Sequence, residues 1–75
     1  MRHPDGKKIA FNVSVGEAVQ RARTAADVGT TKLAEAIGIT RSTLAKIENG
    51  ETPCPLYTLA CIAEALDVTL DELVP

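Results

Sequence analysis

Residues 30–49 read TTKLAEAIGITRSTLAKIEN, a run that resolves into two short helices joined by a tight turn at Gly38. Leu33, Ala34 and Ile37 share one face of the first helix at i, i+1 and i+4, and Leu44 and Ile47 share a face of the second at i and i+3. Two helices crossing steeply need a small side chain where they nearly touch, and Ala34 stands there. The turn needs a residue that tolerates φ > 0, which Gly38 supplies. Ile39 follows as an apolar plug into a core. Thr40 is placed as the N-cap of the second helix, its side-chain oxygen free for the orphan N–H groups. Any one of these features is weak; all of them in register are specific. A plain helical hairpin satisfies the same apolar spacing, so the polar residues at the start of the second helix decide the reading.

Those residues are small hydroxyls and bases, which is the layout of a helix-turn-helix, whose second helix lies in the major groove of DNA. From about Ser14 to Leu73 the chain resembles the Cro and phage-repressor type of helix-turn-helix domain. The resemblance is carried by LAEAIGI (33–39), TRSTLAKIENG (40–50) and LYTLACIAEALDVTLDEL (56–73). It implies an all-α fold, a five-helix lambda-repressor-like DNA-binding domain that dimerises, binds operator DNA and regulates transcription.

Composition agrees independently. Seventy-five residues make one domain, near the lower limit for a core without staples. Apolar residues are 45% of the chain, yet they include one Phe, one Tyr and no Trp, so the core must be aliphatic. No apolar run is long enough to span a bilayer and no signal-peptide pattern is present, which makes the cytoplasm the expected compartment.

Caps and periods give a helix map. Ser14-Val15-Gly16-Glu17 is a capping-box pattern, so helix 1 is expected to begin there, burying Val15, Val19, Ala22 and Ala26. Asp27-Val28-Gly29 breaks it. Asn49-Gly50 ends helix 3, and Pro55 suits the first position of helix 4. Leu56, Leu59, Ala63 and Leu66 then line one face, with Ile62 beside them. Thr69-Leu70-Asp71-Glu72 is a second capping-box pattern and opens a short terminal helix. The expected organisation is an N-terminal arm, residues 1–13, and a helix-turn-helix domain, residues 14–75. In the arm, Ile9, Phe11, Val13 and Val15 alternate with a strand period, and Arg2, Lys7 and Lys8 make it basic. An arm along DNA, a strand pairing across a dimer axis and a tail with Phe11 tucked onto the domain all fit.

Charge sets a constraint. The net charge is −2, whereas a nucleic-acid domain usually carries a basic footprint. The distribution answers this in part: residues 1–50 hold all 8 Lys and Arg against 5 acids, and residues 51–75 hold 5 acids and no base. The positive half is the half with the candidate reading helix.

Within that half, Arg41, Ser42, Thr43 and Lys46 are the candidate base-reading residues. Arg41, Ser42 and Lys46 fall where the resemblance puts base contacts, with Thr43 at the edge of the same surface. An arginine there makes a bidentate contact to guanine O6 and N7. Thr30 and Thr31 open helix 2, where free N–H groups favour a phosphate; the family often has Gln at the position of Thr30. Thr40 and Asn49 are further phosphate candidates. The loop Glu51-Thr52-Pro53 carries an acid where family members often carry a base. The resemblance also implies that Arg23 and Glu48 form a structural salt bridge between helices 1 and 3.

Tyr57, Ala60, Cys61, Leu70, Leu73 and Val74 are less polar than a solvated face and form the candidate homodimer surface. Cys54 and Cys61 are seven residues apart, too far along one helix for a disulfide. With a lone His3 they supply no zinc set, so no metal and no cofactor is expected. No catalytic constellation appears, and no enzyme activity is expected. The expected partners are double-stranded operator DNA and a second copy of the chain. An antitoxin binding a protein through the acidic C-terminal half, or an interaction module without DNA binding, is the alternative use of the same fold.

Overall fold

Four α-helices and one 3₁₀ turn make up residues 5–75, the part of the chain that this computed structural model describes. They are α1 (Asp5–Ala25), α2 (Thr30–Ile37), α3 (Arg41–Glu48), α4 (Leu56–Leu66) and the turn Leu70–Glu72. The short fifth helix is thus a single 3₁₀ turn, tied by the Glu72 carboxylate, which accepts from the Thr69 N–H at 2.8 Å and the Thr69 hydroxyl at 3.1 Å.

All four α-helices stop in the same way. A residue in left-handed conformation follows each: Asp27, Gly38, Gly50 and Asp67, with φ of 58°, 78°, 75° and 58°. The next N–H then reaches back to a carbonyl in the last turn: Val28 to Arg23 at 3.1 Å, Ile39 to Ala34 at 3.0 Å, Glu51 to Lys46 at 2.9 Å and Val68 to Ala63 at 2.9 Å. This Schellman arrangement satisfies carbonyls the helix leaves orphaned. At three of the stops the following residue is apolar, and Val28, Ile39 and Val68 all pack against the core. The pairs Asp-Val, Gly-Ile and Asp-Val therefore end a helix and seat the next residue inward in one step.

The core draws Val15, Ala18 and Val19 from α1, Leu33 and Ala34 from α2, Leu44 and Ile47 from α3, and Leu59, Ile62, Ala63 and Leu66 from α4. It is aliphatic throughout. Each fully buried Leu, Ile or Val is worth about 1.5–3 kcal/mol over leaving it exposed.

Several expectations need correction. Helix 1 does not start at Ser14; it is already running from Asp5, and the Ile9–Val15 alternation lies on a helix. Val15 and Val19 anchor that helix, and each residue added upstream gains a hydrogen bond without a new nucleation cost. A lone strand has no neighbour to pair with. Gly6 to Phe11 are all exposed, so this stretch overhangs the domain. On the stripe of α1, Ala22 is half-buried, Ala26 is exposed beyond the last turn, and Ala18 takes the buried place instead. Leu56 lies in the first turn of α4, past the edge of the packed face, and is 72% exposed. Leu73, expected on a dimer surface, is 0% exposed because the 3₁₀ turn folds it back into the core. Among the described residues no helix is long and apolar enough to cross a membrane.

Candidate nucleic-acid interface

The placement of α3 follows from its sequence. Thr40 caps it, its Oγ1 accepting from the Thr43 N–H at 3.0 Å. Leu44, Ile47 and Glu48 are buried, so the opposite face, with Arg41, Ser42, Thr43, Lys46 and Asn49, is exposed.

Two glycines set how closely α3 lies on α1. A Cβ on Gly16 would stand 2.5 Å from the Glu48 carbonyl oxygen and would also strike the Ile47 carbonyl. A Cβ on Gly50 would stand 2.7 Å from the Val13 side chain. Gly16, which resembled part of a capping box, is instead the seat on which the C-terminal end of α3 rests.

An ion pair locks this crossing. Arg23 Nε donates to Glu48 Oε2 at 2.7 Å and Nη2 to Oε1 at 3.1 Å, a two-pronged contact between side chains only 14% and 7% exposed. Arg23 Nη1 also donates to the Val28 carbonyl at 3.0 Å, which ties in the segment leading to α2. Donating to the Glu48 carboxylate raises the Arg23 pKa above its ordinary value, against the opposing pull of burial.

A groove opens between α1, the start of α2 and the outer face of α3. Thr30, Arg41, Ser42 and Asn49 border it, with Ala45 between them and Gln20 from α1 on the far wall; Arg23 and Glu48 close its floor. At its mouth the first turn of α2 holds no acid, and Gly29 offers no side-chain cap, so the leading N–H groups of α2 are open to an anion. The structure thus brings four of the sequence-derived candidates to one place. Thr31, Thr43 and Lys46 are exposed but outside the groove. Thr40 and Thr43 share a 2.8 Å hydroxyl–hydroxyl bond, which leaves one hydroxyl proton of the pair for an outside acceptor. Asn49 Nδ2 donates to Glu51 Oε2 at 3.3 Å, which brings an acid to the rim. Lys7 and Lys8 are exposed on the overhang of α1, and Arg2 lies outside the described residues.

Sequence reading missed Gln20 and Ala45. Both are small signals, an uncharged amide on the helix before the motif and a methyl inside it, and nothing local marks them as surface-forming.

Residues 19–73 match the family model of HTH_3, the helix-turn-helix family, and the chain belongs to that family. Among solved structures it is similar to the restriction-modification controller protein C.AhdI from Aeromonas hydrophila, with TM-score 0.81 and 31% identity over 85% of this chain and 97% of that one. It is similar in fold to the clp gene regulator ClgR from C. glutamicum, with TM-score 0.81 and 24% identity over 84% and 82% of the two chains. HppE, solved with Fe(II) and its substrate, matches with TM-score 0.78 and 29% identity over 85% of this chain but 37% of its own. No curated protein sequence matches. Fold and family are those of DNA-binding helix-turn-helix transcription regulators, the class that the Cro and phage-repressor resemblance implied.

Proposed function

We propose that the chain is a sequence-specific, non-catalytic regulator of transcription that binds operator DNA as a homodimer with α3 in the major groove, working in the cytoplasm. One observation carries this: Thr30, Arg41, Ser42 and Asn49 border a single exposed groove at α3, while the other face of that helix is locked into the core. The likeness to C.AhdI, covering 97% of that controller, supports a small controller-type regulator. The enzyme HppE matches over 37% of its chain, so its chemistry is not carried across.

In this reading Arg41 reads guanine, Ser42, Thr43 and Lys46 extend the contact, and Thr30, Thr31, Thr40 and Asn49 position phosphates. Lys7 and Lys8 add positive charge on the exposed overhang of α1, so removal of residues 1–8 lowers DNA affinity. The dimer surface comprises Tyr57, Ala60, Cys61, Leu70 and Val74; Tyr57 is 81% exposed, and Leu56 at 72% joins it. The acidic half, residues 51–75, lines none of the groove and is the surface open to a protein partner.

The test is selection of bound sites from random duplexes at two salt concentrations, followed by Arg41→Ala. The expected motif is two-fold symmetric, with half-sites about 34 Å apart. Loss of Arg41 blurs one base pair per half-site, at a cost of about 1–3 kcal/mol. Absence of enrichment at either salt concentration refutes the proposal and leaves the protein-partner uses of the fold.

A further inference from the structure

We infer that Gln20 is a DNA-contacting residue whose carboxamide donates to a backbone phosphate at the mouth of the groove; this rests on the regulator reading above. Gln20 lies one turn beyond Gly16 on the same face of α1. The end of α3 rests on Gly16, and Gln20 lines the groove together with Arg41, Ser42 and Ala45 of α3. The only cation that α1 brings to the groove is Arg23, and it is committed: Nε and Nη2 go to Glu48, and Nη1 goes to the Val28 carbonyl. Gln20 is exposed and shares the groove with Thr30, at the open N-terminal end of α2. An anion held by those N–H groups has the Gln20 amide as its donor from the opposite wall.

The contact is neutral, and that sets its signature. Removing a lysine or arginine contact lowers the salt dependence of binding, because fewer counterions are released. Removing Gln20 lowers affinity without changing that slope.

The experiment measures duplex affinity across a salt series for the wild type, Gln20→Ala, Gln20→Lys and Arg41→Ala, with thermal melts alongside. Gln20→Ala is expected to bind about five-fold more weakly, the net worth of one hydrogen bond, with the wild-type slope and the selected motif unchanged. Gln20→Lys is expected to bind more tightly at low salt, with the slope of log affinity against log salt steeper by about 0.9. Both should melt as the wild type does, since the side chain is exposed. If Gln20→Ala binds with wild-type affinity while Arg41→Ala loses its base pair, the inference is overturned and the regulator reading stands, whatever the added charge of Gln20→Lys does. If the wild type shows no salt-dependent binding, the regulator reading fails and this inference falls with it.

Discussion

Replacing Gly16 by alanine sets two opposed effects against each other. Gly16 is inside α1, where alanine ordinarily stabilises by about 1 kcal/mol. Yet its new Cβ would stand 2.5 Å from the Glu48 carbonyl oxygen and 2.8 Å from the carbonyl carbon. A carbon–oxygen contact settles at about 3.3 Å or more, so roughly 0.8 Å of separation must be found. The atoms in the way are backbone, and no rotamer change clears them. α1 and α3 have to part, which also stretches the 2.7 Å Arg23–Glu48 contact. Overpacking costs about 1–3 kcal/mol, and unyielding backbone puts this case near the top of that range. After the propensity gain, the net loss is about 2 kcal/mol, or about 8–16 °C in melting temperature for a domain of this size. The matched control is Gly6→Ala on the overhang, where nothing lies within 4 Å of the new Cβ and stability should rise by up to about 1 kcal/mol. Urea denaturation of the three proteins measures both changes. A Gly16→Ala protein as stable as the wild type would refute the close-approach argument.

Three further outcomes are expected. Glu48→Ala leaves Arg23, 14% exposed, without its carboxylate and should cost about 3–5 kcal/mol by denaturant titration, while Arg23→Met with Glu48→Met should recover much of it. Glu51→Lys exchanges the acid beside Asn49 for a base and should raise DNA affinity while steepening its salt dependence by about 0.9; fluorescence anisotropy showing no change would place residues 51–53 away from the phosphates. Burial pushes the Cys54 thiol from 9.0 up to about 11, so the folded chain keeps a proton that the unfolded chain releases. Stability from this source is intact below pH 9 and declines as pH climbs towards 11, and Cys54→Ser should abolish that decline in a pH series of denaturation curves.

Much of this architecture was legible because its signals are local. The stop at Gly38 needs only a left-handed residue followed by an apolar one, and the Thr40 cap needs only a hydroxyl ahead of an apolar period. The Arg23–Glu48 pair, by contrast, spans 25 positions, and only the family resemblance pointed to it. The start of helix 1 was misread for a related reason: Ser14-Val15-Gly16-Glu17 has the residues of a capping box, but an anchored helix can run straight through such a pattern. Leu56 and Leu73 exchanged places because helical period says which face a residue lies on, not whether a neighbour reaches that far along it.

The order of residues by itself determined where the first three helices end, that the core is aliphatic, and that bases gather in the first fifty positions. Those properties depend on backbone preference and composition, which act over a few residues or need no position at all. Only the tertiary structure decided that Gly16 is a seat for α3, that Arg23 is spent holding that helix, and that Gln20 stands free on the groove wall. Each depends on the distance and angle between helices remote in sequence, set by how the side chains between them fill space.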